Sequence, residues 1–112
     1  MKIISFRDSN GNGTCLQGYI KTTYYELVSI FGEPKYGPNN GGDKTTCEWA
    51  IDIFYADPRA YGGQRKETVT IYDWHQYNTP FNEYRWHIGG SNFNAVALVY
   101  AAMNMEMETE NA

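Results

Sequence analysis

Thr45-Thr46-Cys47-Glu48-Trp49-Ala50-Ile51-Asp52-Ile53-Phe54-Tyr55 is the stretch that decides the fold. Cys47, Trp49, Ile51 and Ile53 fall on one side and Thr46, Glu48, Ala50 and Asp52 on the other, the period of two that marks a half-exposed strand. Such a strand needs neighbours, and two later segments supply them. Thr68 to Trp74 places Val69 and Ile71 inward, and Tyr84 to Ile88 places Tyr84, Trp86 and Ile88 on one face with Arg85 and His87 on the other. At the start of the chain, residues 3–6 and 14–20 are short β-type runs. Between them Asp8-Ser9-Asn10-Gly11-Asn12-Gly13 consists of residues that tolerate positive φ, which predicts a hairpin.

Two helices complete the pattern. Thr23 and Glu26 have the spacing of a capping box, Tyr24, Leu27, Val28 and Phe31 form one apolar stripe, and Gly32 and Pro34 end the helix after about two turns. Gly89-Gly90-Ser91 leads into the second helix, with Ser91 as its expected N-cap and Ala95, Leu98, Val99 and Ala102 as its buried stripe. Tyr36 to Asp43 has no periodicity and reads as a loop; its glycines open no helix and carry no Walker lysine. The order β-β-α-β-β-β-α has connections between the later strands too short for helical crossovers. It predicts an α+β fold, an antiparallel sheet of about five strands with two helices packed on one face. The expected domain spans residues 1–105, followed by an acidic, frayed tail at 106–112.

Composition narrows the function classes. The 112 residues carry nine Lys and Arg against thirteen Asp and Glu, and three of those acids, Glu106, Glu108 and Glu110, lie in the tail. A body with nine cations and ten acids lacks the electrostatic footprint of a general nucleic-acid binder, so any such contact is local. The N-terminal apolar stretch is too short for a signal peptide, and the run from Ala95 to Met103 is about half the ~20 residues of a membrane-spanning helix. The expected location is the cytoplasm, with no membrane partner. Cys15 and Cys47 lack metal or disulfide spacing and read as two reduced, buried thiols; no metal and no cofactor is expected. Sheet edges leave homodimerisation open.

Chemistry-bearing residues concentrate in Tyr72-Asp73-Trp74-His75 and Arg85-Trp86-His87-Ile88-Gly89-Gly90-Ser91. If the strands carrying them pair, His75 or His87 with Asp73 would give a minimal hydrolase dyad, although no nucleophile motif accompanies it. Arg85, His87, Gly89, Gly90 and Ser91 would surround a helix start, where free N–H groups favour a phosphate or carboxylate, so a nucleotide ligand is a second expectation. Tyr, Trp and Arg dominate interface hot spots. Tyr72, Asp73, Trp74, His75, Tyr77, Phe81 and Trp86 therefore form the expected interaction surface.

The strings Leu16-Gln17-Gly18-Tyr19-Ile20, Tyr24-x-x-Leu27-Val28-x-x-Phe31-Gly32-x-Pro34, Lys44-Thr45-Thr46-Cys47-Glu48-Trp49, Val69-Thr70-Ile71-Tyr72-Asp73-Trp74 and Trp86-His87-Ile88-Gly89-Gly90 together resemble a group of small proteins encoded by tailed bacteriophages. The resemblance spans about residues 14–103, with the segment 56–67 looking like an expansion of a tighter turn. No established activity attaches to that group, so it transfers no catalytic residue. What it implies is context: small acidic phage proteins act by occupying a host protein, as anti-CRISPR and other anti-defence inhibitors do, or by sequestering a nucleotide signal. The expected function is a non-enzymatic, phage-encoded binder of a host defence protein, acting through an aromatic and acidic surface in the infected cell.

Overall fold

In the computed structural model, which describes residues 2–40 and 44–107, the chain runs through β1 (Ile3–Asp8), β2 (Cys15–Thr22), α1 (Tyr24–Phe31), β3 (Glu48–Ala56), β4 (Gln64–Tyr72), β5 (Tyr84–Gly90) and α2 (Asn94–Ala102). The strands form one antiparallel sheet in the order β1-β3-β4-β5-β2. The fold is α+β. The alternation at 45–55 is realised as β3 and the residue before it: Cys47, Trp49, Ile51, Ile53 and Tyr55 are all buried. Opposite them lie Val69 and Ile71 of β4, followed by Trp86 and Ile88 of β5.

Both helices cover this apolar face. The capping box forms: Glu26 N–H donates to Thr23 Oγ1 at 3.1 Å and Thr23 N–H to Glu26 Oε1 at 3.3 Å. Gly32, at φ +82°, closes α1 by donating to Val28 O at 2.8 Å. Tyr24 and Leu27 of α1 join Ala95, Val96, Leu98, Val99 and Tyr100 of α2 in a single core built around Trp49 and Trp86, whose rings meet edge-on at 5.5 Å. Each indole N–H reaches a carbonyl, Trp49 to Gly32 O at 2.8 Å and Trp86 to Thr22 O at 3.1 Å, so neither ring buries an unpaired donor.

The first two strands do not form the expected hairpin. β1 pairs with β3 and β2 with β5, at opposite edges of the sheet. The positive-φ tolerance of residues 8–13 reports a local reversal and says nothing about which strand each arm joins. Here it serves a strap that crosses the helix-free face. Ala50, Thr70 and Gly89 stand side by side across β3, β4 and β5, and small side chains in that row let the strap lie close. Ser9 N–H donates to Ala50 O at 3.0 Å. A Cβ on Gly11, which has φ +74°, would sit 3.0 Å from Thr70 Cγ2, and one on Gly89 would fall 2.2 Å from Thr70 Oγ1 and 3.6 Å from Thr14 Cβ. The strap also bonds to itself, Gly11 N–H to Ser9 Oγ and Thr14 Oγ1 to Gly11 O.

Other differences are local. Ser91 does not cap α2: the helix begins at Asn94, and Asn92 Oδ1 accepts from Asn94 N–H at 2.8 Å. Tyr36 lies in no plain loop but exchanges two backbone hydrogen bonds with Glu48. Cys15 is exposed, while burial pushes the Cys47 thiol up to about 12, helped by the charge of Asp73. Of the expected tail, Glu106 and Met107 are exposed and 108–112 lie outside the described residues. No helix among the described residues is long and apolar enough to cross a membrane.

Candidate functional site

The strap divides the helix-free face of the sheet into two halves of different character. In one half Lys66 lies 4.0 Å from Asp52, Thr68 Oγ1 donates to Asp52 Oδ1 at 2.6 Å, and the Arg7 guanidinium sits 5.2 Å over the Phe54 ring. Opposite charges there answer one another. The other half is aromatic. Strand register sets Tyr72 opposite His87 and His87 opposite Tyr19, so three rings form a row across β4, β5 and β2.

These rings touch. Tyr72 and His87 stack at 5.3 Å with an interplanar angle of 30°, and Tyr19 meets His87 edge-on at 4.9 Å. Trp74, just beyond the end of β4, lies 6.1 Å from His87 and is held by its N–H bond to Tyr84 Oη at 3.1 Å. Two cations lie over rings of the patch. Arg85 places its guanidinium 3.8 Å over Tyr19, and Lys44 places its ammonium 5.8 Å over Trp74. Among the described residues neither makes an ion pair, whereas the neighbouring Lys21 reaches Glu83 at 3.4 Å. The patch is therefore aromatic, with two cations over its rings and the Glu48 carboxyl at its β3 edge.

Burial tunes the titratable groups in the patch. Desolvation lowers the His87 imidazole below its ordinary value, reinforced by Arg85 and opposed by Asp73, and its Nδ1 is buried without a hydrogen-bond partner among the described residues. A neutral ring follows at pH 7. Desolvation raises the Tyr72 phenol, aided by the Glu48 carboxylate, and raises the Glu48 carboxyl itself, with Lys35 acting against it. Glu48 is the register neighbour of Tyr72 on β3, so a half-buried carboxyl borders the row at that end.

The expected interaction surface separates into three groups. Tyr72, Trp74 and His75 lie on the patch or beside it, with Trp74 39% exposed. Tyr77 is 97% exposed in the following loop, and Phe81 packs half-buried against Tyr24 and Tyr25. Asp73 and Trp86 are each 0% exposed and belong to no surface. Their positions signalled this, because Asp73 continues the inward series Val69, Ile71, and Trp86 sits between Tyr84 and Ile88 on the inward face. Tyr19 and Lys44, which sequence reasoning passed over, enter the patch through the β2–β5 pairing and the chain reversal at His75, whose φ is +55° and whose N–H donates to Lys44 O at 2.8 Å.

Asp73 has a structural task that removes the hydrolase dyad. Its Oδ1 accepts from Thr46 N–H at 2.7 Å and Cys47 N–H at 3.1 Å, and its Oδ2 from the Thr46 hydroxyl. Thr46 Oγ1 then meets Thr79 Oγ1 at 2.8 Å, and Thr79 and Asn39 bond reciprocally. The carboxylate orients loops and no histidine. Among the described residues no cluster of three or more His, Cys, Asp or Glu is placed to hold a metal.

The expected anion site at the second helix also fails to assemble. Gly89 and Gly90 are buried strand residues, and the two point to opposite faces: a Cβ on Gly90 would strike Ala95 of α2, while one on Gly89 would strike Thr70 beneath the strap. Alternation places Arg85 and His87 with Gly89, on the face away from the helix start. Ser91 Oγ instead donates to Glu67 Oε1 at 3.3 Å, so a carboxylate lies beside the helix start and opposes an anion. An open groove of ≈ 1030 Å³ nearby includes Asp57, Arg59 and Arg65. Its charges are mutually engaged: Arg65 Nε donates to Asp57 Oδ2 at 2.6 Å, and the hydrogen bonds from Arg65 and Arg59 hold that carboxyl below the ordinary carboxylate range.

No protein family, curated protein or solved structure matches this chain. The patch must be interpreted from its own chemistry.

Proposed function

We propose that this chain is a non-enzymatic binding protein, encoded by a tailed bacteriophage, that inhibits a host defence component by occupying it through the patch of Tyr19, Tyr72, Trp74 and His87. One observation carries the reading: half of a sheet face has aromatic side chains in contact, rimmed by Arg85 and Lys44, which have no carboxylate partners among the described residues. Tyr and Trp side chains offer large contact area at little conformational-entropy cost, and together with Arg they supply most of the energy at recognition surfaces. The other half of the face has its charges matched and offers less. The site of action on this reading is the cytoplasm of the infected bacterium, and the resemblance to phage proteins supports the anti-defence context by analogy alone.

The test is quantitative affinity capture from bacterial lysate with the wild-type chain and with a Tyr72→Leu/Trp74→Ala variant of unchanged melting temperature. The reading requires a stoichiometric host component that the wild type retains and the variant loses. Equal capture by both chains, or none by the wild type, would sink it.

A further inference from the structure

We infer that the strap carries a site of spontaneous covalent modification: Asn12 loses its side-chain amide to attack by the backbone nitrogen of Gly13, while the chemically identical step at Asn10-Gly11 is restrained by the fold. Both steps join an asparagine to a glycine, which has no side chain to shield its nitrogen and the widest backbone freedom of any residue. In an unfolded chain the two therefore react at comparable rates. The folded strap separates them.

At Asn10 both reacting groups are engaged. Gly11 N–H donates to Ser9 Oγ at 3.1 Å, and Asn10 Oδ1 reaches past Gly11 to accept from Asn12 N–H at 2.9 Å. Gly11 is also pressed onto the sheet, where a Cβ would lie 3.0 Å from Thr70 Cγ2, so its peptide cannot swing without lifting the strap. Asn12 and Gly13, in contrast, are exposed at a turn. Chain neighbours aside, no described atom lies within 4 Å of a Cβ on Gly13, which has φ +80°. Neither the Asn12 side chain nor Gly13 N–H makes a hydrogen bond among the described residues, so nothing holds the nitrogen away from the amide carbon.

The reaction needs only water. A bond forms from Gly13 N to Asn12 Cγ, the Cγ–Nδ2 bond breaks, and the proton given up by the Gly13 nitrogen leaves with Nδ2 as ammonia. Water then opens the cyclic imide at one of its two carbonyls. The product is an aspartyl residue at position 12, or an isoaspartyl residue whose main chain runs through the former side chain. Either form adds a negative charge to the strap. The isoaspartyl form also lengthens the strap main chain by one carbon, inside the turn that Thr14 Oγ1 closes on Gly11 O at 2.8 Å.

The two positions can be compared within one peptide. The full chain is aged in neutral buffer, folded and in urea above its unfolding midpoint, and cut with trypsin at mildly acidic pH. Residues 8–21 then form a single fragment that holds both asparagines. Electron-transfer fragmentation locates the converted residue and separates aspartyl from isoaspartyl. In the folded chain Asn12 should convert roughly 5- to 150-fold faster than Asn10, the factor for two hydrogen bonds that must open before Asn10 can close its ring. In urea the two rates should be comparable. Ser9→Ala frees the Gly11 nitrogen and should speed Asn10 in the folded chain by roughly 2- to 10-fold while leaving Asn12 as it was. Equal rates at the two positions in the folded chain overturn the inference. So does an Asn12 that reacts in urea but not in the folded chain, the same preference for Asn12 in both states, or an Asn10 that Ser9→Ala does not accelerate.

Discussion

Replacing Asp73 tests whether one buried carboxylate holds the two loops that frame the patch. Asp73→Ala removes the acceptor for Thr46 N–H and Cys47 N–H and for the Thr46 hydroxyl. The hydroxyl keeps Thr79 Oγ1 as a partner, so two backbone donors are left stranded. A buried donor without a partner costs about 1–3 kcal/mol, and hydrogen bonds to a charged acceptor lie toward the upper end. The expected loss is therefore about 3–5 kcal/mol out of a total of roughly 5–15 kcal/mol for a domain of this size. At about 4 °C per kcal/mol the melting temperature falls by on the order of 10–20 °C. Asp73→Asn keeps an amide oxygen for both N–H groups and turns an NH₂ toward the Thr46 hydroxyl, so it should lose only about 1–2 kcal/mol. Urea unfolding gives the numbers from the midpoint at constant slope. Native-state hydrogen exchange localises them, with the Thr46 and Cys47 amides exchanging fastest in the Ala variant. A loss below about 1 kcal/mol for Asp73→Ala, or equal losses for Ala and Asn, would refute the reasoning.

Three further predictions follow from packing, titration and reactivity. Gly90→Ala places a Cβ 2.3 Å from that of Ala95, an atom that α2 holds rigidly, so it should destabilise by about 1–3 kcal/mol through overpacking; an unchanged urea midpoint would contradict the close approach. The folded pKa of His87 lies below its unfolded value, so the stability of the neutral ring is fully present above about pH 6.5 and is lost as pH falls through that value towards the folded pKa. His87→Gln should remove this component of the urea midpoint between pH 7.5 and 5.5, and an identical pH dependence in both proteins would rule it out. With a thiol reagent, Cys15 should react in the native state and Cys47 only after unfolding; rapid labelling of both would show that Cys47 is not sealed in the core.

Much of the architecture was legible because it follows from periodicity. The alternation at 45–55 named the inward residues of β3, the Thr23 and Glu26 spacing named the start of α1, and the Arg85/His87 face of β5 was read correctly from its sequence. Pairing partners were not legible. Gly11 and Gly13 permit a reversal of the chain, but the destination of β1 is set by Phe6 meeting Phe31 and lying opposite Ile53, contacts made across some 25 to 50 residues. The candidate site was half visible for the same reason. Tyr72, Trp74 and Arg85 were found by type and strand face, whereas Tyr19 becomes a member only once β2 is known to lie beside β5. Asp73 and Trp86 were misplaced by reading residue type ahead of the period that already buried them.

The strap has a consequence for a chain emerging from the ribosome. β1 has no partner until residue 56 has been made, and β2 has none until residue 90. The N-terminal third of the protein must therefore wait, with Phe6 and Ile20, which the finished fold packs into or against its core, still uncovered while most of the sequence is synthesised. Long-range pairing of this kind slows folding and leaves strand edges open to other chains. At an elongation rate of about 5–20 residues per second, the delay between the synthesis of β2 and that of β5 lasts on the order of 3–14 s. For about the first half of that interval both strands are unpaired; once β3 has been made β1 can pair with it, and β2 alone waits for β5.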